Sequence, residues 1–418
     1  MSNASRWASA ILAPLIALFA GMGWYLSRSV LFAYAMDAGL ASEDVRAMHT
    51  TQSYVGMLGL VFAGVIAIAL GPSLPLILGA GALSAGLLAV AVLPIDAAPL
   101  AFGLAVLGHG MIMPAIYGAL ARAFDGELES LRNAAFLVVV AALNVGGFAG
   151  PLLGSSLREV GGTRSVFLSA GAFAAFALVL AAILGVIVLM TRKKEQPESS
   201  PARGGPRDKP APSAGWIRAG VGAGLVVVCA VPWALSAGTA MWQLLAPELR
   251  YGMREMEASR LDLLNPAVVI ALSLLGAVVF VVLHALRSKV PALLVAGLGL
   301  AVLGVGAALS AALIDDDARL VTVGAVLVIG AIGEALFMPL LLSRATGDLP
   351  LRLETAVAAA WILAIRVIMM LTAFVSDEPS GQRALLWVGA LAALVVGVGL
   401  AAASFPLRRV FALAEPAR

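Results

Sequence analysis

Gly333-Glu334-Ala335-Leu336-Phe337-Met338-Pro339 places a carboxylate and a proline inside a run that is otherwise apolar from about Val321 to Leu342. An ionisable side chain at the middle of a membrane-length helix is disfavoured by roughly 2.5 to 3.5 kcal/mol on insertion scales, so it marks a pathway or a binding site by default. The pattern occurs a second time, 225 positions earlier, as Gly108-His109-Gly110-Met111-Ile112-Met113-Pro114. The two Met-Pro pairs align, and His109 falls opposite Glu334. Two ionisable groups thus hold equivalent places in two halves of one chain.

Composition sets the class. With 61% hydrophobic and only 12% charged residues, and a mean hydropathy of +1.00, the chain is an integral membrane protein. Its apolar runs are continuous and rich in Ala, Leu, Val and Gly, which excludes a β-barrel, whose strands alternate over about ten residues. At about 20 apolar residues per span, 418 residues leave room for about twelve helices. The single cysteine, Cys229, permits neither an internal disulfide nor a cysteine metal site, and no metal or cofactor motif is present. Basic residues are spread over loops, which is an orientation signal and argues against a nucleic-acid partner. The first run is too long for a signal peptide and is read as a retained helix.

Spans are predicted at about 8–35, 51–71, 74–94, 99–122, 132–157, 164–190, 215–246, 263–285, 290–313, 320–343, 353–375 and 382–405. The expected organisation is an all-α membrane protein with a six-helix bundle over 1–190, a cytoplasmic linker over 191–214 and a second six-helix bundle over 215–418. The linker begins with Arg192-Lys193-Lys194 and continues rich in Pro, Ser and Gly, too polar to bury a core. Lys and Arg are more frequent in the loops that share its side, which orients both termini to the cytoplasm in a cell membrane. The basic run reads as a topological anchor that meets lipid headgroups, and Asp315-Asp316-Asp317 as an acidic outer loop.

Five positions inside spans carry polar chemistry besides Glu334. Arg28 follows Trp24 and Tyr25 and cannot lose its proton, so it is paired, faces water or snorkels. Asn144 and Asn265 carry amide groups that hydrocarbon cannot satisfy; each is either a hydrogen bond between helices or a substrate contact. His109 is either a titrating group or a neutral core residue. Arg366 lies in the span after that of Glu334, and this adjacency predicts an ion pair between them. Such a pair is either structural or exchanged during a transport cycle. Prolines within spans, including Pro114, Pro232 and Pro339, bend helices beside these groups, as a cavity at the midplane requires.

These stretches resemble the proton-dependent oligopeptide transporter family, a branch of the major facilitator superfamily. Gly108 to Pro114 is similar to its fourth-helix G-x-G-x-x-x-P. Phe136, Asn144 and Gly146 are similar to its F-Y-x-x-x-N-x-G. Asn265-Pro266, Gly333-Glu334 with Pro339, and Trp361 match its eighth, tenth and eleventh helices. The resemblance implies a twelve-helix major facilitator bundle of two pseudo-symmetric halves. It implies a peptide's amino end at Glu334, Asn144 and Asn265, and a carboxylate at Arg28 beside Tyr25. The chain departs from the family at Ala17, Ala20 and Gly21, which replace its first-helix acidic motif, at Met113 in place of its lysine, and at Val140 in place of its tyrosine.

The expected function is secondary transport of a small peptide-like or amino-acid-like solute, with Glu334, His109 and Arg366 as candidate groups for coupling to protons. The alternatives are export of an apolar metabolite or drug, for which Met113 and Val140 would supply an apolar cavity, and a membrane scaffold or regulatory protein that no longer transports. An enzyme is not expected, since no nucleophile, metal cluster or nucleotide loop stands out.

Overall fold

The structure, a computed structural model, describes residues 3–37, 39, 42–124, 128–195, 212–238, 263–288, 290–313, 320–347, 349, 353–373 and 379–412. The acidic triplet at 315–317 and most of the linker lie outside the described residues, as do the side chains of Arg192, Lys193 and Lys194.

Continuous apolar sequence can satisfy its backbone in hydrocarbon only by forming helix, and helix is what these runs form. In chain order they are α1 (Asn3–Asp37), α2 (Ser42–Leu70), α3 (Ser73–Val92), α4 (Ala98–Ala123) and α5 (Glu129–Glu195). There follow α6 (Pro212–Trp233), α7 (Leu264–Ala285), α8 (Ala292–Leu313), α9 (Leu320–Thr346), α10 (Glu354–Ala373) and α11 (Pro379–Ala412). A 3-10 turn, Ile95–Ala97, leads into α4, and α6 continues as one π-helical turn, Ala234–Gly238. Among the described residues, eleven helices are long and apolar enough to cross a membrane.

One of the eleven is not a single rod. At 1.5 Å per residue, the 67 residues of α5 would reach about 100 Å, against a hydrocarbon core of about 30 Å. The helix is broken at Gly161 (φ −139°, ψ 17°) and Gly162 (φ 67°, ψ −177°). Gly162 lies at a positive φ that a side chain would resist, and Ser165 closes the bend by donating to the Leu157 carbonyl at 2.7 Å. The two arms then flank α1: Leu143 of the first arm lies against Gly21, and Ala170 of the second against Gly23. Since residues two apart point to nearly opposite faces of a helix, α1 is held between the arms.

The inner surfaces are lined by alanine, glycine and a few large side chains. Trp361 is fully buried, 5.7 Å from the ring of Phe337 and 6.2 Å from that of Trp233. The outward faces carry Leu58, Val61, Phe62 and Val65 on α2 and Leu391, Val395 and Val398 on α11, all exposed at helical spacing. Such stripes are stable only against lipid.

A repeated contact links the two halves of the sequence. In α3 and α4, a Cβ added to Gly79 would lie 2.8 Å from the Gly108 carbonyl oxygen and 2.9 Å from the Met111 Cβ. In α8 and α9, one added to Gly299 would lie 2.9 Å from both the Gly333 oxygen and the Leu336 Cβ. One turn and more further along, Gly86 meets the Ala105 nitrogen as Gly306 meets that of Gly330. Gly108, Met111 and Ala105 correspond to Gly333, Leu336 and Gly330 with the same 225-residue offset that aligned the sequence motifs. His109 and Glu334 therefore occupy equivalent positions on equivalent helices.

Candidate functional site

The site draws on both halves. Trp24 and Arg28 stand four residues apart on α1, which puts them on one face, and the guanidinium carbon of Arg28 lies 5.6 Å from the Trp24 ring centroid. That indole also stacks on His109 of α4, at 4.2 Å with an interplanar angle of 6°. Guanidinium, indole and imidazole thus form a cluster at the α1–α4 contact.

From the second half, Arg366 of α10 reaches across to α2. Its Nη1 occupies the space where any side chain on Gly56 would begin. One turn away on the same face, Gln52 is 4% exposed, and neither atom of its amide has a hydrogen-bond partner. Gly56 lies in turn against Val106 and Gly110 of α4, so Arg366 stands beside the stretch of α4 that carries His109. Among the described residues, no carboxylate pairs with either guanidinium.

The expected ion pair between Glu334 and Arg366 is therefore corrected. Glu334 accepts instead from Asn265 of α7, Nδ2 to Oε2 at 3.3 Å. The physical reason lies in helix facing. Neighbouring spans suggested the pair, but α9 turns residue 334 toward α7, whereas α10 turns residue 366 toward α2 of the other half. Asn265 and Glu334 line a small cavity with Ser236 of the π-helical turn and Ser310 of α8. The hydroxyl of Ser236 is buried and has no partner.

Tyr25 stands on α1 against Gly147 and Gly150 of α5, and Tyr117 of α4 is buried and stacked on Phe136 at 5.2 Å. Asn144 spends its donor on its own helix, to the Val140 carbonyl at 2.9 Å. Val140 is buried against Val269, Ala331 and Ala335, and Met113 is 9% exposed in the main core. Both residues that were expected to line an apolar cavity are packing residues.

Sequence reasoning assigned no role to a second polar constellation, at the ends of α4 and α5. Arg132 is fully buried; its Nε donates to Ser343 Oγ at 3.4 Å and its Nη1 to the Phe124 carbonyl at 3.0 Å. Ser343 in turn donates to Asn133 Oδ1 at 2.5 Å, and Arg122 meets Glu354 at 3.4 Å. Gly347 lies directly on the Arg132 guanidinium, and Gly118 on the Thr355 hydroxyl. Apart from the bond to Phe124, which closes the α4–α5 hairpin, these contacts join α4–α5 to α9–α10. The signal available in sequence was positional: Arg122 and Arg132 flank one short loop, and Arg344 and Glu354 flank its counterpart.

Membrane-length helices in two repeated sets, with ionisable groups inside their spans, are the architecture of membrane transporters. The profile of the Major Facilitator Superfamily matches residues 15–373, and the chain belongs to that superfamily. Solved structures share its fold along nearly its whole length. A peptide transporter of the POT type in complex with sulfate superposes with a TM-score of 0.64 at 18% identity, over 96% of this chain and 95% of its own. The major facilitator transporter FucP in the outward conformation gives 0.63 at 16% identity, over 95% and 99%. A POT family transporter in complex with a thioalcohol-conjugated peptide gives 0.64 at 14% identity, over 95% and 96%. No curated protein matches the sequence. The protein is a multi-pass membrane transporter of a small molecule.

Proposed function

We propose that this protein is a secondary active transporter of a peptide-like or amino-acid-like solute, held by its carboxylate at Arg28 and by its amine at Glu334. One observation carries the reading: each half holds a charged side chain inside its spans, Arg28 resting on the Trp24 ring in the first and Glu334 accepting from Asn265 in the second, an anion-binding and a cation-binding group. Asn265 orients the carboxylate of Glu334, and Asn144 stands one turn from Val140 on the neighbouring arm of α5. The likeness in fold to transporters described as binding peptide is consistent with a zwitterionic solute.

In this reading the chain crosses the cell membrane twelve times, α5 counting as two spans about Gly161-Gly162. Residues 1–190 and 215–418 form the two halves, 191–214 the cytoplasmic linker, and both termini lie in the cytoplasm. Protons are the coupling ion. Ionised Glu334 attracts the amine from the outer side, and its protonation releases the solute. His109, at the equivalent position of the first half, and Arg366 tune the charge of the cavity around it.

The test is uptake of labelled zwitterions into proteoliposomes containing the purified protein. Uptake that falls at least tenfold in Arg28→Met and in Glu334→Gln supports the proposal. Transport confined to uncharged apolar compounds, indifferent to both substitutions, would make the protein an exporter of apolar metabolites. No transport of any solute by correctly folded protein would leave the scaffold reading.

A further inference from the structure

The site holds more positive charge than the proposed zwitterion neutralises. Arg28 and Arg366 each carry a permanent charge inside a span, where a charged residue is disfavoured by roughly 2.5 to 3.5 kcal/mol. The chain places no carboxylate against either among the described residues. It places two orphan polar groups near them instead. The Gln52 amide is buried on the Arg366 face of α2, and the His109 Nδ1 is buried beside the indole on which Arg28 rests. Buried polar atoms without partners call for an explanation, and a ligand that satisfies them is one.

Charge balance then narrows the ligand. Two guanidiniums and the Glu334 carboxylate leave a net charge of +1, which a neutral zwitterion does not cancel. We infer that the solute carries two carboxylates and one amine, as an acidic amino acid or a dipeptide with an acidic side chain does, and that Arg28 and Arg366 each bind one of the carboxylates. This deepens the proposed function and rests on it. Arg366 becomes the residue that sets specificity, by crossing from the second half to a place on α2 that only glycine leaves open. A solute bridging Arg28 on α1 and Arg366 on α10 also ties the two halves together, which is the contact that occlusion during transport requires.

The test uses the purified full-length protein in detergent at fixed ionic strength, with melting temperature read against Ala-Glu, Ala-Ala, Ala-Lys and sodium sulfate. Ala-Glu is expected to protect at concentrations at least tenfold lower than Ala-Ala, and Ala-Lys to give no protection. Arg366→Gln should bring Ala-Glu and Ala-Ala within about threefold of each other, Arg366→Lys should restore part of the difference, and Glu334→Gln should weaken both dipeptides. Ala-Ala protecting as well as Ala-Glu in the wild-type protein would overturn this inference and leave the proposed zwitterion in place. Protection by sulfate alone, unchanged in Glu334→Gln, would overturn both and assign the arginine pair to inorganic anions.

Discussion

Arg28 cannot shed its proton, so the membrane tolerates it only because something nearby accepts its charge or its planar face. The Trp24 ring supplies the face. A lysine at this position would keep the charge but present a compact ammonium, which neither stacks on indole nor forks onto a carboxylate. Arg28→Lys is therefore expected to raise the KM for a zwitterionic solute by about tenfold, equivalent to about 1.4 kcal/mol, with less effect on kcat. The measurement is concentration-dependent uptake into proteoliposomes, and an unchanged KM would remove Arg28 from the binding surface. At this scale sequence was an uneven guide. Glu334 was legible because a carboxylate in an apolar run has few explanations. Arg366 was legible as a polar intruder but was given the wrong partner, since adjacency of spans says nothing about which way each helix faces. Gln52 lies where α2 had been expected only to begin, and its burial depends on packing that no spacing reveals.

The elements are held by approaches closer than a side chain allows. Gly108 sits against the Gly79 carbonyl and the Leu83 nitrogen, and Gly333 in the same way against Gly299 and Leu303. Small residues at such crossings let helix backbones touch, which is a main source of association where lipid is as apolar as the protein. Gly108→Ala and Gly333→Ala should each destabilise the folded protein by about 1 to 3 kcal/mol, the usual range for overpacking. Gly399→Ala, whose added Cβ would meet nothing within 4 Å, is the control and should leave the melting temperature unchanged. Equal thermal stability of all three variants in detergent would refute the crossing geometry. Helix existence was easy to read from sequence because hydrophobic length is the strongest signal a chain carries. The bend inside α5 was legible too: the spans expected at 132–157 and 164–190 part at the charged stretch Arg158 to Arg164, where Gly161-Gly162 breaks the helix. The 225-residue repeat was visible as a motif, and its physical cause, a shared pair of glycine crossings, was not.

At the scale of the whole molecule, the halves meet through Arg132, Asn133 and Ser343 and through Arg122 and Glu354, all at the end that carries the α4–α5 and α9–α10 connections. The proposed topology makes this the cytoplasmic end and the conformation one that is closed there. Arg132→Met removes charge-assisted hydrogen bonds worth about 1.5 to 3 kcal/mol each and should shift the population toward the state open to the cytoplasm. Cysteine labelling reports both the topology and the shift. With Cys229 replaced, Ser199→Cys should react with an impermeant thiol reagent from the cytoplasmic side and Asp316→Cys from the outside, two positions beyond the described residues. Reaction of both from one side would contradict twelve spans. The Arg132 contacts were not legible because they depend on how two distant hairpins dock, and single arginines at loop ends ordinarily mark only the membrane surface.

Glu334 is the carboxylate on which the proposed cycle turns, the acidic pair found in the first helix of the resembled family being replaced here by Ala17 and Ala20. The most direct test is solute uptake into proteoliposomes as a function of an imposed pH gradient, comparing wild type with Glu334→Gln, which retains the shape and loses the charge. Wild-type uptake should accelerate when the outside is acidic, and the variant should lose that acceleration at least tenfold while still exchanging preloaded solute, which shows that it is folded. Uptake by Glu334→Gln with an unaltered dependence on the gradient would contradict the mechanism, reducing Glu334 to a structural partner of Asn265.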